Sequence, residues 1–384
     1  MNNDINKDND INENDMKEEI EKEEQELYTA SQWELVWMRF KKHKLAVGAA
    51  IVLLILYGMA IFAPFISPHN PHERSLAYKK APPQTIHFFD DDGFNLRPFV
   101  YPLKSEMNME TYETVYKEDK SQKYPIKLFV EGYDYKFFGL FKTDTHLFGT
   151  GKENVPIHIF GTDRLGRDMF GRVLYGARIS LSIGLIGVVI SLFLGILIGG
   201  LAGYYGGIID EIIQRGIELL RSIPKLPLWM ALSASLPSSW TSIQIYFAIT
   251  IILSLIGWTG LARVVRGKFL SLREEDFVVA AELAGRNQVE IIFLHMMPSF
   301  LSHIIANLTL SIPAMILGET SLSFLGIGLR PPTISWGVLL KKAQNVNTIA
   351  MAPWLMIPGI FVIITVLAFN FLGDGLRDAA DPYA

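Results

Sequence analysis

The sequence predicts an all-α polytopic membrane protein of six transmembrane helices, with an extracellular α/β or mostly-β insert between helices 1 and 2. Three observations carry this. Half of the 384 residues are hydrophobic and only 19% are charged, whereas a soluble domain carries about 25% charged residues. Uncharged apolar runs long enough to cross a bilayer recur along the chain. Between the first run and the others, hydropathy collapses over residues 67–160.

The first element is polar. Residues 1–27 hold eleven acidic and three basic side chains, so the net charge of −4 hides a remainder that is +4. Residues 1–30 are predicted to be a disordered acidic cytoplasmic tail, since they bury too little apolar surface to offset ordering entropy. Their acidic start and missing apolar core exclude a secretory signal. No basic stripe follows, which excludes a nucleic-acid binder. The chain has no cysteine, so disulfides, thiolate zinc sites and cysteine nucleophiles are excluded.

Residues 31–44 place Trp33, Val36, Trp37 and Phe40 at helical spacing, with Arg39, Lys41, Lys42 and Lys44 behind them. That pattern predicts an interfacial amphipathic helix on an anionic leaflet, the alternative being the ordinary flank of a transmembrane helix. Residues 45–66 form the first span, closed by Pro64 and Pro68. Residues 67–160 are the extracytoplasmic insert, with strand-like patches at 84–89 and 126–130 between glycines and prolines. Residues 161–384 form a five-helix core with spans at 181–204, 212–236, 243–262, 300–325 and 352–372. The span at 212–236 is the poorest, carrying Glu218, Arg221, Pro224, Lys225 and Pro227. Arg39–Lys44 place the amino terminus in the cytoplasm, and six spans return the carboxyl terminus there. Arg164, Arg167, Arg172 and Arg178 then fall outside, at the end of a loop too long for the positive-inside rule to govern, and Asp163 and Asp168 offset part of their charge.

Residues 263–298 form a cytoplasmic loop. Within it Asp276, Phe277, Val279, Ala280, Ala281 and Glu282 fall in a short predicted helix, Gly285 permits a turn, and Pro298 opens the next helix. Small alanines beside Phe277 let a partner approach closely, so this reads as a rigid projecting knob; the alternative is a solvated connector. Here the chain resembles the permease subunits of ATP-binding-cassette importers. Their signature is Glu-Ala-Ala, three residues, Gly, nine residues, Ile, one residue, Leu-Pro. Val279-Ala280-Ala281, Gly285, His295 and Met297-Pro298 keep every spacing, with Val, His and Met replacing Glu, Ile and Leu. Glu282, about one turn on, is the candidate to replace the missing Glu.

Further stretches are similar to the C-subunit type of the oligopeptide/dipeptide (peptide/nickel) permeases: GTDRLGRDMFGRVLYGARISL from Gly161, GGLAGYYGGIIDEIIQR from Gly199, WTGLARVVRG from Trp258, ETSLSFLGIGLRPPTISWG from Glu319 and FNFLGDGLRDAADP from Phe369. The resemblance covers residues 31–68 and 160–384 and leaves the insert uncovered. It implies the type I, MetI-like permease fold in a bacterial plasma membrane. It also implies a second permease subunit (B-subunit type), two ABC ATPase subunits and an extracellular substrate-binding protein that delivers peptide. The knob residues Asp276, Phe277, Val279, Ala280, Ala281, Glu282, Gly285 and Pro298 would then couple to the ATPases. The chain lacks a GxxxxGK[ST] loop, so it is expected to be non-catalytic and to bind no cofactor, with ATP and magnesium on the partners. Nickel or another small solute is the rival cargo.

Within the bundle, Asn307, Ser311 and Met315 recur four residues apart, as a pathway lining or as helix–helix glue. Glu319 is an intramembrane carboxylate, expected either to pair with an arginine such as Arg178 or to serve the pathway. Gly184, Gly187, Gly195 and Gly199 are expected to serve close helix packing. The eight histidines show no HxxxH or HExxH spacing, so no metal site is expected. A secondary transporter would show internal repeats, a channel a filter-like loop, and a membrane-anchored enzyme convergent catalytic groups; the chain shows none of these patterns.

Overall fold

The computed structural model describes residues 32–380 apart from 91–92, 108, 110–113, 138 and 153–154. The tail expected to be disordered lies outside the described residues. Helix α1 (Gln32–Lys42) precedes α2 (Lys44–Ile61), whose first turn is capped by the His43 ring accepting the Ala46 N–H at 3.2 Å. Phe40 of α1 is buried with Ala46 and Ala379, while Trp37 stays exposed with Lys41 over its ring. A single turn, α3 (Ala63–Ile66), then leads into the insert.

The insert is built of antiparallel strands. β1 (His87–Asp90), β2 (Gly93–Val100) and β5 (Tyr124–Pro125) make one small sheet in the order β1-β2-β5. β3 (Leu103–Met107) pairs with β4 (Thr114–Glu118), and β6 (Lys127–Phe137) with β7 (Phe141–Gly149). The β6–β7 hairpin rests on the bundle: His146 Nδ1 meets the Pro64 carbonyl at 2.9 Å, and Tyr133 meets the Tyr175 hydroxyl at 3.1 Å. His69 Nε2 accepts the Ile157 N–H at 3.1 Å, which requires a neutral ring, and burial lowers this histidine to about 4.

Helix α4 (Met169–Tyr205) begins twelve residues before its expected apolar core, because Asp168 caps it by accepting the Gly171 N–H at 2.7 Å. Next come α5 (Gly207–Ser222), α6 (Lys225–Ala234) and α7 (Ser242–Leu272), the last opened by a capping box between Thr241 and Gln244. The single span expected at 212–236 is therefore two helices. Pro224 cannot donate to a helical ladder, and Ile223 and Pro224 are extended (ψ 129° and 130°). After the knob helix α8 (Asp276–Leu283), a π-helical stretch Ile291–Met296 leads to α9 (Leu301–Leu325). Short helices α10 (Trp336–Leu340) and α11 (Val346–Met351) precede α12 (Ile357–Ala380).

Among the described residues, five helices are long and apolar enough to cross a membrane: Lys44–Ile61, Met169–Tyr205, Ser242–Leu272, Ile304–Leu325 and Pro353–Ala380. Leu54, Val189, Phe193, Phe247, Ile251 and Ile363 point outward and exposed, an apolar exterior suited to lipid. Inside, α4 and α7 lie parallel. Tyr246 near the start of α7 bonds Ser182 at 2.9 Å, Ser254 bonds the Gly187 carbonyl at 3.0 Å midway, and Gly203 meets Phe269 and Arg266 at their ends. Parallel neighbours force the intervening chain to travel back along their length, and α5 and α6 make that return. Of the expected packing glycines, Gly184 and Gly195 lie at close approaches, against Ile316 and Leu261, while Gly187 meets Met315 and Ser254 at ordinary contact distance. A Cβ on Gly199 would sit 2.4 Å from the Ala262 carbonyl oxygen.

Candidate functional site

The knob is seated from one side only. Val278 and Ala281 of α8, three residues apart on one face, are buried with Val265 and Phe269 of α7, Ile291 and Met296, and Ile304 of α9. Ala281 was expected to face a partner, yet it is 8% exposed and turned into this seat. Its correction follows from helical phase: Phe277, Val279, Ala280 and Leu283 occupy the outward arc and are exposed. Asp276, Glu282 and Pro298 are exposed as well. Glu282 accepts a hydrogen bond from the Tyr204 hydroxyl at 2.9 Å, tying α8 to the end of α4. Gly285 has φ +75° with open space around it, and it closes α8 with its N–H on the Glu282 carbonyl at 2.9 Å. His295 lies half-buried in the π-helical stretch.

The second group lies beside the break between α5 and α6. Asn307 and Ser311 of α9 line a cavity of about 260 Å³ with Arg221, Lys225, Ile256, Gly257, Thr259, Gly260 and Leu261. Met315 does not join them. It is buried in the gap opposite Gly187 and Gly257, where its thioether fills the volume that two absent side chains leave. Helical spacing alone placed it with Asn307 and Ser311; two glycines on other helices drew it into the core instead. Arg221 and Lys225, on either side of the break between α5 and α6, were noted only as flaws in an apolar run, although charges in such a run were the available signal.

Glu319 pairs with no arginine. Its carboxylate, fully buried, accepts hydroxyls from Ser323 at 2.8 Å, Ser335 at 2.7 Å and Ser180 at 3.1 Å. Ser180 in turn accepts the Trp336 N–H at 3.1 Å, so one carboxylate joins α4, α9 and α10. Arg178 lies instead over the Tyr175 ring, at the wall of a separate cavity of about 610 Å³. Serine donors replaced the expected cation, and residue type alone did not reveal that.

A further hub sits where the insert meets the bundle. Asp163 bonds Lys342 at 2.6 Å and Arg167 at 2.7 Å, with Arg172 at 4.0 Å. Burial alone would raise this carboxyl, but Lys342 and Arg167 outweigh it and hold it far below the usual carboxylate range. Burial and the Arg172 charge bring Lys342 down to about 8. Gly166, at φ +70°, is pressed against the Ser75 backbone where no side chain fits. The run Gly161-Thr-Asp-Arg-Leu-Gly-Arg-Asp168 carried this signal, but only the partial offset of charge was read from it.

The profile of the binding-protein-dependent transport system inner membrane component matches residues 195–383, and that of the N-terminal transmembrane domain of oligopeptide transport permease C matches residues 31–83. These define the class as an integral membrane component of a transport system. The chain is 33% identical over 348 residues to the dipeptide transport system permease protein DppC of Bacillus subtilis (strain 168), covering 90% of this chain and 84% of that protein. It is 40% identical over 241 residues to the oligopeptide transport system permease protein OppC of Haemophilus influenzae, covering 62% and 75%. The chain belongs to the C-type permease family of the oligopeptide and dipeptide transport systems. A methionine ABC transporter structure, MetNI in an inward-facing conformation, covers 56% of this chain and 98% of its own at 16% identity and a TM-score of 0.44, too distant to bear on mechanism.

Proposed function

We propose that this chain is the non-catalytic, membrane-spanning subunit of an ATP-driven importer, moving oligopeptides or dipeptides inward by alternating access. The observation that carries this reading is the one-sided seat of α8. The inner face of α8 is locked to α7 and the start of α9, while Phe277, Val279, Ala280 and Leu283 present an apolar outer face. A push on that face is delivered to two long helices at once. In this reading two partner ATPases bind ATP and magnesium and press on α8, and the chain itself binds no cofactor. A second permease subunit of the B type completes the pathway, and an extracellular binding protein delivers the peptide at the insert end.

The return of the chain through α5 and α6 brings the crossings to six in this scheme, so both termini lie on the cytoplasmic side with the knob. The strands of residues 67–160 then lie outside. The DppC and OppC relatives, named for dipeptide and oligopeptide transport, favour peptide over nickel as cargo. The test is uptake of a labelled pentapeptide by proteoliposomes holding the assembled complex and its binding protein. Uptake should need ATP and both ATPases. Uptake driven by an ion gradient without them would overturn the reading.

A further inference from the structure

We infer that the cavity at the break between α5 and α6 is a carboxylate-binding subsite, with Arg221 and Lys225 as its cationic wall; the identity of the carboxylate as that of a transported peptide rests on the import reading above. Arg221 ends α5 and Lys225 begins α6, on either side of the extended Ile223–Pro224 break. Both side chains line the cavity of about 260 Å³, and no acidic residue does. Neither side chain has an ion pair or hydrogen bond among the described residues. The opposite wall is Gly257, the middle residue of α7, with Gly260 beside it.

Arg221 and Lys225 are both exposed at the break, and two like charges facing one polar cavity repel each other unless an anion sits between them. Non-helical backbone within a spanning bundle is tolerated where it lines such a cavity. The remaining polar lining comes from Asn307, Ser311 and Thr259, neutral groups that suit a carboxylate and its neighbouring amide. The space accommodates a terminal residue and not a whole peptide. Asn307 and Ser311 thus acquire a role that their spacing alone left undecided.

The absence of cysteine allows a direct test. Ser311→Cys is placed in the assembled complex in nanodiscs, and its labelling by two methanethiosulfonates is measured, one bearing a sulfonate and one a trimethylammonium group. Rates are normalised to those of a free thiol. The sulfonate reagent should react faster by about tenfold, as expected for two nearby cations in a partly shielded site. Arg221→Gln with Lys225→Gln should bring the two rates to parity, while Arg221→Lys with Lys225→Arg should keep the preference. Penta-alanine with a free carboxyl terminus should slow labelling, and its terminal amide should not. An amidated peptide with one internal glutamate separates the two sources: protection by it shows that any carboxylate fits, and failure to protect assigns the site to the terminal one. Equal normalised rates in the native chain, a preference that survives the double glutamine change, or equal effects of the free acid and the amide would each overturn the proposal. These outcomes are independent of uptake; a complex that keeps the sulfonate preference but imports no peptide would overturn the import reading alone.

Discussion

Asp163 shows how much one residue organises at the insert end. Its carboxylate faces Arg167, Lys342 and Arg172, so Asp163→Asn leaves buried cations uncompensated, at a cost of about 3–5 kcal/mol. The thermal midpoint of the purified protein should fall markedly, and Lys342→Met in the same chain should restore part of the loss. An unchanged midpoint in the single variant would refute the hub. His69 predicts a pH effect of definite sign. Its folded value of about 4 lies below the ordinary 6.5, so the opened state takes up the proton first as pH falls. Stability at this contact is complete above pH 6.5 and is lost progressively towards about 4. Hydrogen exchange around Ile157, corrected for its intrinsic pH dependence, should show that loss, and His69→Asn should flatten it. Glu319 was legible as a residue with a task, because a carboxylate in an apolar run is costly. Its partners Ser180 and Ser335 were not, since they come from other segments, whereas Ser323 lies four residues on along the same helix.

At the scale of elements, legibility followed how local each cause was. Pro224 and its flanking charges marked 212–236 as the poorest expected span, which the structure divides into α5 and α6, and the alanines and Gly285 marked the knob. The direction α8 turns was not marked, because the seat that buries Val278 and Ala281 is assembled from α7, α9 and the π-helical stretch. That phase decides which substitution tests coupling. Ala280→Trp adds bulk on the exposed arc and should abolish peptide-stimulated ATP hydrolysis with membrane insertion unchanged. Ala281→Trp adds it inside the seat and should lower stability as well. Transport at the native rate by Ala280→Trp would remove the knob from the mechanism. The pairing of α4 with α7 was equally invisible, because parallel neighbours are set by packing across sixty-odd residues of chain. Gly199→Ala tests it: the added methyl meets the Ala262 carbonyl, and overpacking of this kind costs about 1–3 kcal/mol, read as a lowered thermal midpoint.

At the scale of the whole molecule, the insert divides into a hairpin bound to the bundle and an outer lobe formed by β1–β5. Residues 78–84 are tied to the bundle-facing loop, with Lys80 on the Asp163 carbonyl at 2.9 Å and Gln84 on the His158 carbonyl at 2.9 Å. Replacing residues 87–125 by a short Gly/Ser linker should therefore leave the bundle intact and basal ATP hydrolysis unchanged. Stimulation by loaded binding protein, and uptake, should fall sharply; unchanged uptake would leave the lobe no part in docking. Its exposed Phe88, Phe89, Phe94 and Leu96 supply the surface this prediction requires. The parallel α4–α7 pair has a mechanical consequence of its own. Two rods joined by hydroxyl hydrogen bonds and close glycine contacts at several levels resist sliding, so they act as one strut. The 31 residues of α7 span about 46 Å, and a tilt of about 10° at its base swings the far end by about 8 Å. The extended Ile223–Pro224 link lies outside this strut, so α5 and α6 can bend there without breaking its joints. A small displacement at the base thus becomes a wide one at the rim.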